Sequence, residues 1–102
     1  MATKTTYKKT TDAQIFVGPG VLKGFAVHTD GAATGQLELH DCAAAVDATD
    51  ANQITDWTVV GAAFNSGRNF GDDGLTINDG LYANITGANA FYFIEYESKS
   101  RS

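Results

Sequence analysis

From Asn78 onward the chain is a series of short apolar segments cut by glycine and asparagine. Asn78-Asp79-Gly80 leads into Leu81 to Ile85, and Thr86-Gly87-Ala88-Asn89 leads into Phe91 to Glu97. β-Branched and aromatic residues crowd the apolar segments, while Gly, Asn and Asp supply the turn conformations between them. A chain written this way forms antiparallel strands joined by tight turns. The pattern extends upstream. Gln14 to Val17 stops at Gly18-Pro19-Gly20, which holds the one proline; Val21 to Thr29, Gln36 to Asp41, Trp57 to Phe64, Arg68 to Phe70 and Leu75 to Ile77 bring the count to about eight strands. Strands this short and this densely punctuated predict an all-β fold, a two-sheet antiparallel β-sandwich for which jelly-roll connections are one solution.

A length of 102 residues fits one domain. The expected division is a basic Thr/Lys arm over 1–11 and a single β-sandwich domain over 12–102. The single cysteine, Cys42, has no partner for an internal disulfide and reads as a small buried apolar residue. Met1 to Thr6 lacks the apolar centre of a secretory signal, and no apolar run approaches the roughly 20 residues of a membrane span. Assembly in a cytoplasm, away from membranes, is the expectation.

Charge is split along the chain. Lys4, Lys8 and Lys9 stand alone at one end and Lys99 and Arg101 at the other, while all twelve Asp and Glu lie between them and face only Lys23 and Arg68. Nucleic acid is a poor partner for such a body, because its phosphates would meet mostly carboxylates. Basic ends on an acidic body suit an acidic protein surface instead. The arm carries one aromatic, Tyr7. It reads either as a flexible segment or as an edge strand that orders against a neighbour.

Several finer expectations follow from alternation. Phe25, Val27 and Thr29 share a face, as do Leu37 and Leu39, while Gln36, Glu38 and His40 point outward. Asp30 to Gly35 reads as a hairpin connection pairing these two strands, with an odd loop of three or five residues and a His28–Glu38 contact across the pair. Both histidines, His28 and His40, are then solvated. Ala43 to Asp56 reads as an excursion between sheets. Trp57 to Phe64 is apolar on both faces, so it is a central strand or one partly covered by another chain. In the last strand Tyr92, Ile94 and Tyr96 face the core. Phe91 and Phe93 then lie outward, and two outward phenylalanines on a small domain mark a partner surface. Phe91, Phe93 and Trp57 are accordingly the expected oligomer interface.

Catalytic groups do not gather in this sequence. There is no nucleophile elbow, and Gly18-Pro19-Gly20-Val21-Leu22-Lys23-Gly24 lacks the Gly-Lys-Ser/Thr end of a phosphate loop. The expectation is a non-enzyme without a cofactor. Asp72-Asp73-Gly74 and Asn78-Asp79-Gly80 are the one acidic cluster suited to calcium, yet Gly-terminated turns explain the same residues and no metal site is expected. Tyr82 and Trp57 are the aromatics a sugar would stack on.

Gly18-Pro19-Gly20-Val21-Leu22-Lys23-Gly24-Phe25-Ala26-Val27, Gly35 to Asp41, Gly80 to Gly87 and the closing Tyr92-x-Ile94-x-Tyr96 resemble small β-sandwich virion proteins of tailed bacteriophages. The resemblance covers roughly residues 13–97 and lies in strand and glycine pattern. It implies a capsid decoration or cement protein that sits on the outer capsid surface as a homotrimer, with the major capsid protein as partner. Lys4, Tyr7, Lys8 and Lys9 are the residues expected to touch the capsid. Other proteins of this kind serve in necks, tails or fibres, where host-surface carbohydrate is the ligand to expect.

Overall fold

A computed structural model of the chain describes residues 3–59 and 65–98. It is an all-β sandwich of two antiparallel sheets with nine strands: β1 (Lys4–Thr5), β2 (Ala13–Val17), β3 (Gly20–His28), β4 (Gly35–Asp41), β5 (Gln53–Val59), β6 (Asn65–Asn69), β7 (Leu75–Ile77), β8 (Gly80–Thr86) and β9 (Phe91–Ser98). One sheet has the order β1-β9-β3-β6, with β7 also paired to β3; the other has the order β2-β8-β4-β5. The pairs nest. β1 pairs with β9, β2 with β8, β3 with β6 and β4 with β5, so the chain runs like one long folded ribbon rolled into two layers. This is the jelly-roll order, with β7 as an addition beside β6.

The alternation seen in the sequence sorts the core correctly. Leu22, Phe25 and Val27 of β3 and Tyr92 and Ile94 of β9 meet Leu37 and Leu39 of β4 and Leu81 and Ala83 of β8. Tyr96 packs partly buried against them and stacks on Phe16, with ring centroids 5.4 Å apart. Cys42 is buried, and burial pushes its thiol up from the ordinary value. A raised thiol is a poor nucleophile at neutral pH.

The hairpin expected between β3 and β4 is not formed. These strands lie in opposite sheets, and 29–34 is an arch that crosses the sandwich. Neither register proposed for them holds, and His28 lies opposite Phe91 and Asn65 rather than Glu38. The arch looks like a hairpin loop because it uses the same chemistry. The Asp30 carboxylate accepts the backbone N–H groups of Ala32 (2.8 Å) and Ala33 (3.1 Å), and it also takes the side-chain amide of Asn89 at 2.9 Å. That last bond ties the arch to the β8–β9 turn. These three donors hold the Asp30 carboxyl below the usual carboxylate range, with Asn89 the largest cause.

The 43–56 excursion also differs from expectation. Residues 53–56 belong to β5, and the remainder joins β4 to β5, neighbours in one sheet, through two single 3₁₀ turns at Ala45–Asp47 and Asp50–Asn52. It folds back over β4 and covers His40, which is buried, not solvated. Nδ1–H of His40 donates to the Thr49 carbonyl (3.0 Å) and to Asn52 Oδ1 (3.1 Å), and Nε2 lies 3.8 Å from Glu38. Asn52 in turn receives Thr49 N–H at 3.0 Å and donates to the Asp47 carbonyl at 2.8 Å. The imidazole is the peg on which the excursion hangs.

β5 is an edge strand among the described residues, and the second half of the expected Trp57–Phe64 strand, 60–64, lies outside them. At the start of β8, Gly80 has φ +151°, and a Cβ there would stand 2.7 Å from the Cys42 carbonyl and 2.8 Å from that of Phe16. Only glycine fits between these two backbones.

Candidate functional site

The N-terminal residues are ordered against their own chain. Thr6 N–H donates to the Ile94 carbonyl (2.9 Å), and Lys9 and Tyr92 exchange backbone bonds of 3.0 and 2.9 Å. Of the two forms expected for this segment, an edge strand is present, but it orders on β9 of its own chain rather than against a neighbour. Its register slips between β1 and Lys9, because Lys4 stands opposite Tyr96 while Lys9 stands opposite Tyr92. The Thr6 hydroxyl fills the gap by accepting Ile94 N–H at 2.9 Å. The slip ejects Tyr7, which is 90% exposed. Below it, the buried Tyr92 hydroxyl donates to the Thr11 carbonyl at 2.8 Å. Burial, with Asp12 and Tyr82 nearby, raises the Tyr92 phenol far above its ordinary value.

This edge presents Lys4, Tyr7 and Lys8 to solvent with Lys9 half-covered. Lys4 and Lys9 stand opposite the core-facing Tyr96 and Tyr92, and Lys8 is the residue that reaches the outer face of the β1-β9-β3-β6 sheet. The Lys8 amino group lies 4.4 Å from the centre of the Phe91 ring. Phe91 stacks on His28 (4.8 Å, planes 3° apart), and Phe93 meets both rings edge-on at 5.6 and 5.9 Å. Phe91 and Phe93 are half-buried by these mutual contacts. Four residues named separately from the sequence (Lys8, His28, Phe91 and Phe93) therefore form one patch. His28 was expected on an outward face, but its part in an aromatic cluster emerges only from the β3–β9 register.

Beside the patch the face sinks into a concavity of about 510 Å³ lined by Thr5, Phe25, Ala26, Gly67, Arg68, Asn69, Phe93 and Glu95; Arg68 stands opposite the core-facing Phe25, with its guanidinium over the Phe70 ring at 4.8 Å. The register explains its shape. Phe93, Ala26 and Gly67 form one cross-strand row and Glu95, Gly24 and Asn69 the next, so the middle strand offers only small side chains while β9 raises a wall. Gly67 is obligatory, since a Cβ would stand 2.3 Å from the Phe25 carbonyl.

Trp57 is elsewhere. Its partner Leu37 faces the core, and its indole meets Phe25 edge-on at 5.3 Å between the sheets. Tyr82 is half-buried on β8. Of the residues considered for calcium, Asn78 and Asp79 give their backbone N–H groups to the Asp41 carboxylate (3.0 and 2.8 Å), and Asp72 offers its carbonyl to Lys23. Among the described residues no three His, Cys, Asp or Glu side chains gather where they could hold a metal ion, and no helix is long and apolar enough to cross a membrane.

No family model matches the chain, nor does any curated protein or solved structure.

Proposed function

We propose that this protein is a non-enzymatic virion structural protein of the capsid decoration type, which docks on an outer capsid surface through its basic strand edge. The observation that supports this reading is Lys8 set over the Phe91 ring, which links the strand edge carrying the exposed Lys4 and Tyr7 to the Phe91–Phe93–His28 cluster. An exposed aromatic flanked by lysines suits an acidic protein partner, the major capsid protein. The half-covered phenylalanines beside it suit contact between copies, three per site in the form that the resemblance implies. Many modest contacts then add through multivalency, so no single site has to be strong.

A second reading, a tail, neck or fibre component that binds host-surface carbohydrate, draws on the concavity. Phe93 lines it, and Asn69, Glu95 and Thr5 offer partners for hydroxyl groups. Imaging of particles assembled with and without the protein separates the two. Added density on the capsid surface is expected. Density confined to the neck, tail or fibre moves the function to the second reading, and particles unchanged in form and protein content overturn both.

A further inference from the structure

Where the register of the N-terminal edge slips, the flank of the sandwich is open. Between this edge and β2 lies a cavity of about 270 Å³ whose lining includes Thr6, Tyr7, Lys9, Gln14, Ile15 and Tyr96, and no Asp or Glu lines it. Lys9 stands opposite the core-facing Tyr92, which turns its side chain to the inner side of the edge, where it is half-covered. Among the described residues it has no ionic partner, since the contacts of that kind are Lys23–Glu97 and His40–Glu38. A cation drawn partly out of water costs free energy until an anion joins it. The Thr6 hydroxyl oxygen already accepts Ile94 N–H at 2.9 Å, so its own hydrogen is left to donate. Ile15 and Tyr96 pack against the core and give the cavity apolar walls. Lys4, opposite Tyr96, adds positive charge on the same side. We propose that this cavity takes the side chain of one glutamate or aspartate from a partner protein. Its carboxylate meets the Lys9 ammonium and the Thr6 hydroxyl, and its methylene stem lies along Ile15 and Tyr96.

Size and charge select this occupant. A water's share of liquid volume is about 30 Å³, so the cavity holds about nine waters. That is room for one side chain, and it falls short of the ~300–1,000 Å³ usual for a free small-molecule ligand. All twelve Asp and Glu lie beyond residues 1–11, so an acidic partner is repelled by the body and held at this edge. Asp12, which ends the segment, commits its carboxylate to Ile85 N–H (2.9 Å) and the Asn84 amide (3.1 Å). The inference rests on the docking reading for the identity of its partner, and it deepens that reading from an exposed charged edge to one seated carboxylate.

NMR titration of the full chain tests it, with a short neutral-ended peptide carrying one glutamate and the same peptide carrying glutamine. The glutamate peptide is expected to move the backbone amide signals of Thr6, Lys9 and Ile15 saturably, and the glutamine peptide to leave them in place. Lys9→Gln keeps the backbone bonds to Tyr92 and is expected to weaken binding about tenfold or more. Lys23→Gln removes an equal charge elsewhere and is expected to leave binding within about twofold. Signals that do not move, equal response to both peptides, or equal weakening by Lys23→Gln overturns the proposal. Inorganic phosphate that moves the same signals at lower concentration gives the cavity to a free anion and overturns it too. Capsid association that survives Lys9→Gln sinks the seated carboxylate alone, whereas a glutamate peptide bound by a chain that no particle takes up sinks the docking reading alone.

Discussion

Lys8 places its ammonium group 4.4 Å from the centre of the Phe91 ring, and so couples the N-terminal edge to the outer sheet face. An exposed cation over an aromatic ring contributes about 0.5–1 kcal/mol, which orients both groups without fixing them. The basic segment is thus a shaped edge, and its removal has structural as well as functional consequences.

Deletion of 1–11 takes away β1, the Lys9 bridge and the Thr11 carbonyl that satisfies the Tyr92 hydroxyl. Chemical denaturation is expected to show a loss of several kcal/mol, because a buried donor left unpaired alone costs about 1–3 kcal/mol. Replacement of Lys4, Lys8 and Lys9 by glutamine keeps the ladder. It is expected to change stability by no more than about 1 kcal/mol while abolishing salt-sensitive capsid association, measured by co-sedimentation at low and high ionic strength.

Tyr92 carries a second expectation, in alkali. Its phenol is raised in the folded chain, so above pH ~10 the unfolded state loses the proton first. Stability is complete below that pH and falls as pH rises beyond it. Ultraviolet titration should show the Tyr92 phenol ionising only as the chain unfolds. Tyr92→Phe should flatten the alkaline loss while costing about 1 kcal/mol at neutral pH.

Asp30 predicts the acid limb. Its folded-state value is lowered by Asn89 and by the Ala32 and Ala33 N–H groups. The stability this contributes is present above pH ~4 and is lost as pH falls through the lowered value. Asp30→Asn should therefore remove part of the acid dependence seen in unfolding between pH 4 and 2, and Asn89→Ala should reproduce much of the effect.

His40→Ala should release the excursion without opening the sandwich. Its Nδ1–H holds Thr49 and Asn52, and the loss should be about 1–3 kcal/mol. Limited proteolysis should then cut first within 43–52, which the native chain resists. Equal resistance in both would show that the imidazole does not anchor the excursion.

Side-chain alternation made much of the fold legible, because a strand's period of two assigns each residue to a face whatever its partner is. Phe25, Val27, Leu37, Leu39, Tyr92 and Ile94 all lie where that period puts them. Partner choice is another matter. The arch at 29–34 carries the aspartate and glycine of a hairpin loop, and nothing local distinguishes a loop that returns beside its strand from one that crosses to the other sheet. His40 shows the limit from the other side. Alternation gives its face, but its burial depends on 43–52 folding back over it, which is a long-range event. The same holds for the patch: Lys8, His28 and Phe91 are far apart in sequence, and only the β3–β9 and Lys9–Tyr92 pairings bring them together.

The nesting of first strand with last has a consequence for synthesis. β3 lies between β9 and β6, and β9 is made after the other eight strands of the described residues. Until it leaves the ribosome, Leu22, Phe25 and Val27 have lost half their lateral cover, and β8 has only just arrived to flank β4. Contacts between residues so distant in sequence form slowly, since chain entropy must be spent before they repay it. A nascent chain stalled before Phe91 would be a sticky, unfinished sheet, and chaperone capture at that length is the behaviour to expect of it.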